Sequence, residues 1–240
     1  MTEAPQQTFH LFRHAEAAHN VASDYSIRDP RLTKVGLAQA EQIPTTYNFF
    51  NHPTLVLVSP FQRTIQTALY AFHPHFNKEA TKLYPQGPPR FIALPHLQEV
   101  SELPCDTGSS LSSLRKEYGE YVDFPDEHFD SDDWFRKENT PFAYDTVLIS
   151  KRAKFVREYL KQCQHEEVIV VTHGDFYHFL VNRGLYGPDR GSRFDDLKYA
   201  AGLPMVFKAK SEEDDSDLEM TIEIPAWWFD AESDAETASP

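Results

Sequence analysis

The chain has 240 residues, 40% hydrophobic and 25% charged, with a formal net charge of −14 and a sequence pI of ≈ 5.2. That composition suits a globular protein of one α/β domain or two small ones. Its acidity argues against nucleic acid and anionic membranes as partners, so any anion site has to be a local cluster of Arg and His. The cysteines, Cys105 and Cys163, sit in no CxxC and make no disulfide framework, which suits reduced thiols inside a cell. Residues 1–7 lack the basic and apolar regions of a signal peptide, and no apolar run is long enough to span a bilayer. The expected location is cytoplasmic, and a nuclear one is compatible with the same features.

In chain order, Thr8 to Phe12 is a short β-prone run that ends directly in Arg13-His14. Asp24 to Arg31 is polar loop, and Thr33 caps a helix carrying Val35, Leu37, Ala38 and Ile43. Leu55 to Val58 is continuously apolar, as in a parallel strand covered on both faces. Ser59-Pro60 stops it, and a helix follows through Thr64 to Tyr70. Arg90 to Leu94 reads as a third strand. Residues 101–142 are mixed, acidic and Pro-bearing, with one short helix from Leu111 to Tyr118; they read as an excursion from the sheet.

Asp145 to Cys163 reads as an amphipathic helix with Val147, Leu148, Phe155, Val156, Tyr159 and Leu160 on its apolar face. Val168 to Val171 is the strongest strand and ends in Thr172-His173-Gly174, before a helix from Phe176 to Asn182. Met205 to Lys208 and Met220 to Ile224 read as later strands joined by an exposed acidic turn at 211–217. Apolar strands alternating with helices predict an α/β fold with a mostly parallel central sheet. The expected domain runs over residues 1–229, followed by an acidic disordered tail at 230–240.

Chemistry concentrates at three strand ends. Ligands of open α/β sheets bind beyond the carboxyl ends of the strands. Here those ends carry Arg13-His14, Ser59 with Arg63 just beyond it, and Thr172-His173-Gly174. If the strands are neighbours, Arg13, Arg63, His14 and His173 form one cationic pocket suited to a phosphate dianion. Helices beginning near Thr64 and Phe176 would add their N-termini to it. Each residue also has an ordinary reading: Arg63 as a surface ion-pair partner, His173 as a satisfied turn imidazole, His14 and His173 as metal ligands. No HxxxH or HxH spacing supports the last.

The combination resembles the histidine phosphatase (phosphoglycerate mutase-like) superfamily. Leu11 to Asn20 (LFRHAEAAHN) is similar to its Arg-His signature with a following Asn. Asp29 to Ala40 matches D-x-x-L-T-x-x-G-x-x-Q-A, and Ser59 to Ala68 matches S-P-x-x-R-x-x-Q-T-A. Leu97-Gln98-Glu99 is similar to the L-x-E motif and Val171 to Gly174 to V-T-H-G. These motifs stand in the family's order and cover most of residues 8–183.

The resemblance implies a three-layer α/β/α sandwich and a phosphomonoesterase acting on a small phosphorylated metabolite. It implies His14 as the nucleophile forming a phosphohistidine. Arg13, Arg63 and His173 would bind and stabilise the phosphoryl oxygens, with Asn20 adding a neutral hydrogen bond. Glu99 would be the acid that protonates the leaving oxygen and then the base that activates water. Glu102 and Asp106 share its segment and remain rival acids. Ser59 is either a phosphate contact or a helix cap. No metal or cofactor is implied.

Ala15 replaces the commoner Gly after the nucleophile, and a left-handed backbone there would be strained. The segment at Glu99 lacks E-R-x-Y-G and residues 24–29 lack G-W-x-D, which favours a phosphatase over a phosphoglycerate-type mutase. A catalytically silent phosphate binder is the third reading, against which the complete set of site residues weighs. Specificity is expected from 101–142 and Gly184 to Arg193. Arg115, Lys116, Arg136, Arg190 and Arg193 read there as second-anion contacts or solvated charges. His128, Trp134, Phe135 and Tyr144 read as pocket lining or as packing. The substrate's identity and the oligomeric state have no sequence signal.

Overall fold

The computed structural model describes residues 7–47, 53–181, 198–207 and 222–223. In order come β1 (Thr8–Arg13), α1 (Ala18–Val21), α2 (Lys34–Thr46), β2 (Leu55–Val58), α3 (Gln62–Phe72), α4 (Lys78–Leu83) and β3 (Arg90–Ala93). There follow α5 (Leu111–Tyr118), α6 (Thr146–Gln162), β4 (Glu167–Thr172), α7 (Gly174–Leu180), β5 (Gly202–Phe207) and β6 (Ile222–Glu223), with short 3-10 turns before and after α5. The short α1 and α4 are elements the sequence reading passed over.

The strands form one six-stranded sheet in the order β3-β2-β4-β1-β5-β6. β3, β2, β4 and β1 run parallel, while β5 is antiparallel to β1 and β6 to β5. Alternate residues of the apolar strands point to opposite faces. Phe12, Val56, Val58, Ile169 and Val171 meet Ala40, Ile43, Ile65 and Leu114 from α2, α3 and α5. Phe9, Leu11, Leu55, Leu57, Val168 and Val170 meet Ile149, Ala153, Val156 and Phe176 from α6 and α7. This is the expected three-layer sandwich. Both faces are covered, which is why the strands read as apolar runs rather than as alternation.

The buried stripe of α6 is Ile149, Arg152, Ala153, Val156, Arg157 and Leu160. The spacing of three and four residues leaves Val147 and Phe155 outward, at 60% and 37% exposure. Val35 on α2 is likewise 56% exposed. The excursion at 101–142 is stitched to the sheet: Asp123 N–H donates to Phe91 O and Ala93 N–H to Asp123 O. Its Leu111, Leu114, Tyr118, Val122, Phe129 and Trp134 are buried. Among the described residues no helix is long and apolar enough to cross a membrane. The expectations for 184–193, 211–217 and 230–240 fall outside the described residues, as does the end of the last helix at Asn182.

Gly36 of the T-x-x-G motif has a packing reason. A Cβ there would lie 2.0 Å from the carbonyl oxygen of Glu16, a backbone atom that cannot step aside. Gly36→Ala is therefore expected to lower the unfolding free energy by about 3 kcal/mol, the upper range for overpacking. Urea denaturation checks it; an unchanged midpoint would mean that α2 does not clamp this loop.

Candidate functional site

β1 ends at Arg13 beside the end of β4, where Arg13 pairs with Thr172, and β2 flanks β4 on its other side, where Val58 pairs with Val171. The three strand ends are therefore neighbours, and the side chains they carry meet. The loop after β1 is held by the motif side chains. Ala15 N–H donates to Thr67 Oγ1 (2.9 Å), Glu16 N–H to Gln39 Oε1 (2.9 Å) and Leu32 N–H to Gln66 Oε1 (2.8 Å). Asp29 bridges the N–H groups of Gln62 (3.0 Å) and Ser109 (2.8 Å). Much of the sequence signature thus fixes backbone. Ala15 is not among the described residues with positive φ, so the strain considered for it does not arise.

His14 is 2% exposed. Its Nδ1 lies 2.8 Å from the carbonyl of Ala15. A carbonyl only accepts, so Nδ1 carries the proton and Nε2 keeps its lone pair. Burial, then the positive charges of Arg63 and Arg13, hold its pKa well below the usual value. The imidazole is neutral at pH 7.

Arg63 is the hub of the site and is 1% exposed. Nη1 donates to Cys105 O (2.8 Å), and Nη2 donates to Asp106 Oδ1 (2.7 Å) and to Nδ1 of His173 (3.1 Å). Because Arg63 only donates, His173 accepts at Nδ1 and its Nε2–H faces Ser59 Oγ at 2.8 Å. The rings of His14 and His173 are 5.3 Å apart. Burial first, then Arg63, depresses the His173 pKa well below the usual value. Ser59 thus serves His173, and the N-cap of α3 is Phe61 instead.

Arg13 lies with its guanidinium carbon 4.3 Å from the centre of the Tyr199 ring. Gly174 makes room for it, since a Cβ there would sit 3.1 Å from that carbon. Glu99 accepts the N–H groups of Val100 (2.9 Å) and Phe176 (3.0 Å) at Oε1 and that of Asp175 (3.3 Å) at Oε2. Burial, with the charges of Asp106 and Asp175, pushes its carboxyl up to about 7, against the Val100 amide and Arg63. These contacts correct one expectation. The first amides of α7 are taken by Glu99, and Gln62 N–H of α3 by Asp29, so these amides are not left for an anion.

Asn20 is largely committed locally. Its Oδ1 accepts Ala17 N–H (2.9 Å) and its Nδ2 donates to Nε2 of His19 (3.0 Å). His19 is 6.0 Å from His14 ring to ring, and burial and Arg63 bring its pKa down to about 4. Glu102 is exposed, whereas Asp106 is buried as the partner of Arg63. Lys116 and Arg136 are exposed, and Arg115 is in a surface pair with Asp126. Arg190 and Arg193 lie outside the described residues. Trp134 packs edge-on against Phe61 at 5.3 Å, and Tyr144 is 54% exposed.

The sequence reading missed Lys137, His19 and Tyr199 and did not foresee the ion pair of Asp106. Lys137 is 5% exposed, with Nζ on the carbonyl of Asp106 (2.9 Å) and burial bringing its pKa down to about 8. No sequence signal separates it from its exposed neighbours Arg136 and Glu138. Asp106 was visible only as one of several acidic residues in its segment.

A family model described as histidine phosphatase superfamily (branch 1) matches residues 9–201. A probable phosphatase of Schizosaccharomyces pombe is 25% identical over 171 residues, covering 70% of this chain and 74% of that one. A phosphoglycerate mutase-like protein of Arabidopsis thaliana is 26% identical over 220 residues, covering 80% and 78%. Among solved structures, a mycobacterial glucosyl-3-phosphoglycerate phosphatase in complex with VO3 shares the fold. Its TM-score is 0.54 at 14% identity, over 92% of this chain and 98% of that one.

Proposed function

The chain belongs to the histidine phosphatase superfamily, and on that premise we propose that it is a phosphomonoesterase that hydrolyses a small phosphorylated metabolite through a phosphohistidine on His14. The observation that carries this reading is the Nδ1–H of His14 committed to the Ala15 carbonyl, which presents a neutral, nucleophilic Nε2 beside Arg13, Arg63 and His173. Nε2 attacks phosphorus and the P–O bond to the leaving group breaks. Protonated Glu99 gives its proton to the leaving oxygen. Water, losing a proton to the Glu99 carboxylate, then attacks the phosphohistidine; phosphate leaves and His14 returns to its starting state. Arg13, Arg63 and His173 stabilise the charge on the phosphoryl oxygens in both steps, and Asn20 has one N–H left to donate to the same group. The guanidinium groups of Arg13 and Arg63 supply the counter-charge, with the neutral His173 as a hydrogen-bonding partner, so the reaction needs no metal.

Turnover of p-nitrophenyl phosphate in EDTA tests this. Glu99→Gln is expected to slow an alkyl phosphate at least about a hundredfold, the usual worth of a general acid. On p-nitrophenyl phosphate, whose leaving group needs little acid, hydrolysis should change far less. Equal losses on both would move the acid role elsewhere. The pH profile follows from the same groups. Glu99 must be protonated to act first, and its pKa is raised to about 7, so kcat/KM on the alkyl ester falls above that pH. His14 stays neutral well below its ordinary pKa, so activity persists into mild acid.

A further inference from the structure

We propose that a second cavity, beside Arg152 on α6, binds a small oxyanion, a phosphate or a carboxylate, apart from the Arg13–His14 pocket. Arg152 is 4% exposed. None of its three guanidinium nitrogens has a hydrogen-bond partner among the described residues. Its described contact is a stack on Phe176, with the guanidinium carbon 4.3 Å from the ring centre. A guanidinium keeps its charge at neutral pH even when burial lowers its pKa, and leaving such a fork unpaired inside a protein is costly. Glu99 and Asp106 attract it through space, but neither hydrogen-bonds it: Glu99 sits on backbone amides and Asp106 on Arg63.

The side chain lines a cavity of about 200 Å3 together with His96, Phe142, Lys151 and Phe155. The Nδ1 of His96 is a second buried atom with no partner among the described residues. Its ring is fixed by stacking on Phe155, at 3.9 Å between centres and 23° between planes. A planar fork, a neutral imidazole and an ammonium at exposed Lys151 border it, and they become a donor set for a forked oxyanion once the buried Arg152 and His96 nitrogens turn toward the cavity. The volume is below the roughly 300–1,000 Å3 of pockets for drug-sized ligands, which limits the occupant to an ion or one acidic group. Phe176 joins the two sites. Its ring lies under Arg152 and its N–H holds Glu99.

Titration calorimetry with inorganic phosphate on the full chain tests the proposal. The wild type is expected to bind one equivalent more than Arg152→Met, whatever the Arg13–His14 pocket binds. In phosphate-free buffer Arg152→Met should melt at or above the wild type, because an unpaired buried charge has been removed. Added phosphate should raise the wild-type Tm more than that of the variant. Equal stoichiometry and equal phosphate-dependent shifts would mean a cavity filled by water and would overturn the site.

Should Met pack too poorly on Phe176 to fold, Arg152→Lys keeps a cation and loses the fork. Its Kd for the extra equivalent should rise about tenfold, and an unchanged Kd overturns the site. Kinetics identify whose anion it is. An anion borne by the substrate makes Arg152→Met raise KM for 3-phosphoglycerate about tenfold more than KM for p-nitrophenyl phosphate. A free ion leaves the ratio of the two unchanged.

Discussion

Replacing His14 by Ala is expected to lower kcat on p-nitrophenyl phosphate by about four orders of magnitude or more, to near the background rate. The surroundings of the imidazole leave Nε2 with its lone pair. The Ala15 carbonyl fixes the tautomer at 2.8 Å, while burial and two guanidinium groups keep the ring unprotonated. The loop that carries it is held by Thr67, Gln39 and Gln66 and not by His14 itself. The variant should therefore fold as the wild type does and melt at nearly the same temperature. Turnover within about tenfold of wild type, a difference of only some 1.4 kcal/mol in barrier, would remove His14 from the chemistry.

Replacing Asp106 by Ala is expected to cost both stability and activity. Asp106 and Arg63 form an ion pair at 2.7 Å with side chains 6% and 1% exposed. Removing one partner of a buried pair leaves the other charge uncompensated, typically at about 3–5 kcal/mol. Urea unfolding should read a loss of that size. Arg63 also reaches Nδ1 of His173, whose Nε2–H meets Ser59. Freed from Asp106, the guanidinium loses the anchor that aims this chain, and kcat/KM should fall on aryl and alkyl esters alike. A loss confined to alkyl esters, with stability intact, would instead make Asp106 the proton donor and reverse the assignment to Glu99.

The strands and most helices were legible because their signals are local. The apolar runs at 55–58 and 168–171 and the cap at Thr33 all reappear in the structure, with Thr33 Oγ1 accepting Gly36 N–H, while the helix expected from Asp145 begins at Thr146 and the Asp145 carboxylate caps it by accepting the N–H groups of Val147 and Leu148. The convergence of Arg13, His14, Arg63 and His173 was legible as soon as the strand ends were taken as neighbours, and the sheet order makes them so. What stayed hidden depends on tertiary partners. Lys137 and Arg152 stand beside charged residues in the sequence, Arg136 and Glu138 for one, Lys151 for the other. Only packing decides that these two face inward. The amides of α7 could not be assigned to Glu99 without knowing that residues 95–99 pass beside that helix. α4 has six residues and a cap at Asn77, too short for a periodic signal.

The most direct measurement is capture of the covalent intermediate. Wild-type enzyme quenched during turnover of p-nitrophenyl phosphate should carry a single phosphoryl group. The group should be stable in alkali and labile in acid as a phosphoramidate, and it should map to His14. A phosphoryl group on another residue, or a phosphoenzyme that still forms after His14→Ala, would contradict the account.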